Sequence, residues 1–295
     1  MKGNDSGLPV LEKRVSLSRD YDVELVGADG QKHTVTVTLP EYNNLSDLYP
    51  DHYIKDEIID YDDIDDCGNA RVSKYSLPYD PDPDGRVFEM EHVFDGQLID
   101  QFMRDAALVR LRSGAIARTG PIAVSYFITA QTEPILLGSS PLPGGAAYAG
   151  NRPMSRKSLN DKNKTGTLAD AQYILGRIRA TIASIRYLGY KGTPKVNSFL
   201  TTIINDVGAQ WRLSQRIHNV NHPDDQTAIS DFWSEWVKDF FINFVTKNAK
   251  DFCREAIDLV RETWTNSADA GAQEILDALI SLESQMGEMT IDTSL

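Results

Sequence analysis

The chain has 295 residues, 41% of them hydrophobic and 25% charged, which is ordinary globular usage and excludes wholesale disorder. No run approaches the roughly 18 apolar residues that a membrane span requires, and the stretch 1–14 lacks the apolar core of a signal peptide. The formal net charge of −13 is unevenly placed: residues 1–90 hold 20 acidic and 9 basic residues, a balance of −11. In chain order, residues 15–40 predict a β-hairpin, with two alternating strands around Ala28-Asp29-Gly30 and Val35, Val37 and Leu39 on one face. Residues 41–66 turn acidic. The Asp56–Asp66 run lacks the glycine and the terminal glutamate of an EF-hand loop, so a flexible, solvated segment is expected there. Residues 76–86 (SLPYDPDPDGR) predict a proline-rich connection.

Beyond that connection, EHVFDGQLIDQFMRDAALVRLRSG spaces Val93, Leu98, Ile99, Phe102, Met103 and Ala106 as a helix does. PIAVSYFITA, residues 121–130, predicts a buried strand. PLPGGAAYAGN, residues 141–151, is a glycine-rich loop without the GK[ST] ending of a phosphate-cradling loop. From Thr167 onward helices are expected. Thr167-Leu-Ala-Asp170 has the form of an N-cap, with Ile174, Ile178, Ile182 and Ile185 following at helical spacing. A second helix is predicted over 197–217. A third follows His222-Pro223 and carries Phe232, Trp233, Trp236, Phe240, Phe241 and Phe244 as core aromatics. A final amphipathic helix is predicted over 268–286. The fold class expected is therefore α+β: an acidic β-containing N-terminal region (1–90) and a mixed, then mostly helical region (91–295), forming one continuous structural unit.

Chemistry concentrates between Glu91 and Lys164. An adjacent carboxylate and imidazole at Glu91-His92 can hold a metal ion while the imidazole activates water. Asn151 follows, then Asn160 and Lys164 within SLNDKNKTG. This order resembles that of the HNH (ββα-metal) nucleases. The resemblance implies His92 as general base, Glu91 and Asn160 as ligands of a divalent ion (Mg, Mn or Zn) and Asn151 as the orienter of His92. The spacing is longer than in that family, and the residues after His92 read as helix where the family has a strand. The other reading of Glu91-His92 is a structural histidine paired with a carboxylate. Residues 151–195 carry 10 basic side chains against Asp161 and Asp170, so a polyanion would be repelled by the first region and attracted here. Arg152, Arg156, Lys157 and Lys164 are the expected phosphate contacts. The alternative is a solvated helix face paired with the acidic arm.

EMEHVFDGQLIDQFM, the glycine-rich loop, SLNDKNKTG and the helix after it resemble the C-terminal extensions of fungal class V chitinases and killer-toxin chitinase subunits. The likeness covers about residues 60–215 and is most specific at Glu91-His92-Val93 and Gln97. It implies a fungal, secreted protein. Chitinase activity itself is excluded, because IIDYDDIDD (58–66) supplies aspartates without the acid-catalyst glutamate and no eight-fold barrel pattern is present. Sequons at Asn4, Asn44 and Asn163 mildly favour secretion. Cys67 and Cys253 fit either one disulfide or two free thiols. His218 and His222, four apart, could share a helix face and chelate zinc, but they lack the glutamate of HExxH and come just before Pro223.

The expected function is a metal-dependent phosphodiester hydrolase, an HNH-like nuclease or secreted nuclease toxin, acting on nucleic acid. The alternative is a non-enzymatic, toxin-associated or carbohydrate-associated module that binds a cell-wall polysaccharide or a protein.

Overall fold

The structure, a computed structural model, describes residues 18–27, 30–40, 59–63, 65–74, 97–120, 122–130, 166–192 and 196–293. Strands β1 (Ser18–Val26) and β2 (Lys32–Pro40) form the expected antiparallel hairpin, with Val23 opposite Val35. Alternation puts Val23, Leu25 and Val35 into the core, with Val37 packed against it, while the side chain of Leu39 lies outside the described ones. On the other face Lys32 pairs with Glu24 at 2.9 Å and the Thr36 hydroxyl donates to Asp22. Gly30 closes the turn at φ +76°, a left-handed conformation that glycine adopts without a Cβ penalty.

A second, shorter antiparallel pair follows: β3 (Ile59–Tyr61) and β4 (Val72–Lys74). This corrects the expectation of a flexible acidic segment for its last residues. Ile59 is fully buried, and the β3–β4 loop is gripped from two helices, as described below. Its aspartates cap their own turn: Asp63 Oδ1 accepts from the Asp65 and Asp66 amides, and Asp66 Oδ1 from Gly68.

The helices are α1 (Gln97–Ala107), α2 (Val124–Ala130), α3 (Leu168–Leu188), α4 (Val196–Asn221), α5 (Ile229–Lys238), α6 (Lys247–Trp264) and α7 (Ala272–Gln285). A π-helical segment, Asp239–Thr246, joins α5 to α6 without a break, and the Thr246 hydroxyl donates to the carbonyl of Phe241 five residues back. α2 corrects the strand expected over 121–130. A short apolar run does not by itself distinguish helix from buried strand, and packing against α4 and β2 decided for the helix. The predicted cap of α3 is present: Thr167 Oγ1 accepts from the Asp170 amide at 3.2 Å, and Ile174, Ile178, Ile182 and Ile185 are all buried. At its other end the chain turns at Gly189, where a Cβ would collide with the carbonyl oxygen of Thr290.

α3 packs on α6 and α7, α4 on α5, and α1 on both β1 and α5. Hairpin and helices therefore share one cluster of buried side chains. At its centre, Phe102 of α1 lies within 4.9–5.7 Å of the rings of Trp211, Phe232, Trp233 and Trp236. Both cysteines are free, Cys253 buried in α6 and Cys67 exposed, so no disulfide joins them. Among the described residues no helix is long and apolar enough to cross a membrane.

Candidate functional site

Helix α1 buries Ile99, Phe102, Met103 and Ala106, a stripe of helical period. Asp105 falls inside that arc and is itself 7% exposed, so its carboxylate must find partners. Asp105 Oδ2 accepts from Trp236 Nε1 at 2.8 Å and lies 3.2 Å from Arg112 Nε, while Oδ1 accepts from Gln101 at 3.2 Å. Burial pushes the Asp105 carboxyl above the usual carboxylate range. The Trp236 hydrogen bond and the Arg112 charge pull it back, and the nearby Asp239 charge adds to the rise.

The chain leaves α1 through Val109 at φ +58°, a conformation that a β-branched residue adopts only when its surroundings impose it, at a cost of about 1–3 kcal/mol. The imposing contacts are identifiable. Ala117 donates its amide to the Val109 carbonyl, and Arg110 pairs with Ile116. Asp239, the first residue of the π-helical segment, accepts from the Ser113 amide (2.9 Å), the Ser113 hydroxyl (2.6 Å) and Asn243 (3.0 Å). One turn earlier, Glu235 accepts from the Arg118 amide at 3.0 Å. The 108–120 loop is thus fastened to α5 and the π segment by carboxylates whose acceptors are already occupied. This arrangement holds a loop in place and leaves no free carboxylate aimed at a substrate. Sequence reasoning missed it, although an aspartate on the apolar stripe of α1 and another inside an aromatic run were the available signals.

Three basic residues in the described part of the 151–195 stretch, Arg179, Arg186 and Lys191, have partners within the chain. Arg179, 8% exposed in the middle of α3, donates from Nε to the Asn69 carbonyl at 2.7 Å and from Nη2 to the Asp63 carbonyl. Its guanidinium also lies 3.9 Å from the centre of the Tyr61 ring. Arg186 Nη1 is 2.7 Å from Glu288, close enough for an ion pair though not aligned as a hydrogen bond, and Lys191 reaches Asp292 at 3.3 Å. Gln285 of α7 completes the grip on the β3–β4 loop, accepting from the Ala70 amide at 2.9 Å and donating to the Gly68 carbonyl at 2.7 Å. These cations are committed to the chain itself.

The residues singled out in the sequence for catalysis (His92, Asn151), metal binding (Glu91, Asn160) and phosphate contact (Arg152, Arg156, Lys157, Lys164) all lie outside the described residues. What the structure places is their attachment. α1 begins five residues after His92, α2 ends at Ala130, and the capped start of α3 comes four residues after Lys164. Among the described residues no group of three or more His, Cys, Asp or Glu side chains is arranged to hold a metal ion. No family model, curated protein or solved structure matches the chain.

Proposed function

We propose that the protein is a metal-dependent phosphodiester hydrolase of the HNH type, fungal and secreted, related to the C-terminal extensions of class V chitinases. One observation carries this reading: the order Glu91-His92, Asn151, Asn160, Lys164 along the chain. In it His92 takes a proton from water, and Glu91 and Asn160 hold a divalent ion that stabilises charge developing on the phosphodiester. Asn151 orients the imidazole, and Arg152, Arg156, Lys157 and Lys164 hold the phosphate backbone. That Arg179, Arg186 and Lys191 have partners within the chain supports drawing the phosphate contacts from the 152–164 segment.

That same partnering, with the net charge of −13, favours a second reading: a non-enzymatic module that binds a cell-wall polysaccharide or a protein. The two part in one experiment. The full chain is incubated with plasmid DNA and total RNA in magnesium, manganese, zinc or chelator, beside the His92→Ala variant, and its binding to chitin is measured in parallel. The hydrolase reading expects metal-dependent cleavage that the variant loses while staying folded. No cleavage with any metal, together with chitin binding that chelator does not affect, would replace it by the module.

A further inference from the structure

The turn from α4 into α5 carries chemistry that the proposed reaction does not use. His218 and His222 stand one helical turn apart, with ring centroids 4.6 Å from each other and planes inclined by 32°. His218 is buried, and its Nε2 lies 2.8 Å from the carbonyl oxygen of Asp225. A carbonyl can only accept, so Nε2 carries the proton and the lone pair of the neutral ring is on Nδ1. Tyr126 meets the ring edge-on at 5.0 Å and is itself anchored by donating its hydroxyl to Ser214 at 2.7 Å. A histidine whose second ring nitrogen donates to a backbone carbonyl is oriented as metal-ligating histidines are.

His222 is exposed just past the end of α4, and its ring makes no hydrogen bond with any described residue. Two imidazoles on one tetrahedral zinc, with Zn–N of about 2.0–2.1 Å, bring their ring centres to about 5 Å, close to the 4.6 Å that separates these two rings. The C-terminal end of a 26-residue helix adds its negative dipole end to the attraction for a cation.

We propose that His218 and His222 form a two-histidine site for an imidazole-seeking ion, Zn2+, Cu2+ or Ni2+, at the end of α4. Imidazole donors select these ions over Mg2+. No third His, Cys, Asp or Glu side chain among the described residues converges with them, so water fills the remaining positions and the site is open on its solvent side. The inference does not rest on the nuclease reading.

The test titrates ZnCl2 and, separately, MgCl2 into the full chain, reading heat of binding and the ring 15N shifts of the histidines. Wild type is compared with His222→Asn, an exposed and polar replacement, and with His92→Ala. The expected result is a zinc-dependent shift of His218 Nδ1 and of the His222 ring, with no response to magnesium. Removing a ligand should weaken binding at least as much as losing an outer-shell partner does, about tenfold or more. His222→Asn should therefore bind at least that much more weakly, and His92→Ala should bind as wild type does. Zinc affinity unchanged in His222→Asn, or His218 and His222 resonances that do not move at millimolar zinc, overturns the proposal. Zinc binding lost in His92→Ala and kept in His222→Asn also overturns it, and assigns the ion to the proposed hydrolase centre.

Discussion

Replacing Asp105 by asparagine tests whether the carboxylate behind Trp236 is held against its charge. The amide keeps the shape and an acceptor for Trp236 Nε1, now 2.8 Å from Asp105 Oδ2, while removing the ionisation. In the native protein burial raises the Asp105 pKa, an effect larger than the opposing Arg112 charge and hydrogen bonds. At low pH the group is neutral both folded and unfolded. As pH rises through the unfolded value, about 3.9, the unfolded chain releases its proton first. The native state then loses stability until pH passes the raised folded value. The variant lacks this loss. Relative to wild type it should gain about 1.4 kcal/mol between pH 3.5 and 7 for each unit by which the pKa is lifted.

The assay is urea unfolding followed by tryptophan fluorescence at both pH values. With a slope of about 3 kcal/mol/M, each 1.4 kcal/mol moves the variant's midpoint, relative to wild type, by about 0.5 M. Asp105→Ala is the contrasting perturbation. It leaves the Trp236 N–H unpaired and should be about 1–3 kcal/mol less stable than Asp105→Asn at either pH, since neither variant ionises there. A wild-type-minus-asparagine difference that is constant with pH, or that grows in favour of wild type as pH rises, would refute the reasoning. It would show that Arg112 and the hydrogen bonds offset burial of the carboxylate fully or more than fully.

Two further outcomes follow from local geometry. Gly189→Ala should destabilise by about 1–3 kcal/mol, read as a lowered urea midpoint, because its methyl group meets the Thr290 carbonyl where only hydrogen fits. In native protein a thiol reagent should label Cys67 alone, and in urea both cysteines, since burial pushes the Cys253 thiol up to about 12 while Cys67 is exposed.

Much of the scaffold was legible because it rests on local rules. The alternation of residues 32–37 and the glycine at position 30 are enough to specify the hairpin. Thr167 and the isoleucines four apart specify α3. Where the reading failed, contacts distant in sequence decided. VSYFITA has strand-forming residues, yet it is a helix because α4 and β2 meet its buried face. The aspartates near β3 suggest a solvated segment, and nothing local announces that Arg179 and Gln285 will grip that loop from α3 and α7. The π segment depends on one residue's excess within a continuous helix, which no apolar period reveals. The candidate hydrolase residues were legible only as types in an order.

The charge asymmetry of the chain has a physical use that neither half shows alone. Arg179 meets the backbone of the acidic arm, at the carbonyls of Asp63 and Asn69, and the face of Tyr61. The aspartates of that loop turn inward on their own amides and fix the curvature that presents those carbonyls. Exposed charges act weakly beyond a screening length of about 8 Å, so the excess negative charge contributes attraction while hydrogen bonds supply the geometry. A guanidinium gives both, with a charge that does not titrate and a planar fork of donors; a lysine at position 179 could not reach both carbonyls in one plane. Within α3, Arg179 is therefore the counterpart of the β3–β4 loop's backbone, while Arg186 is paired with Glu288.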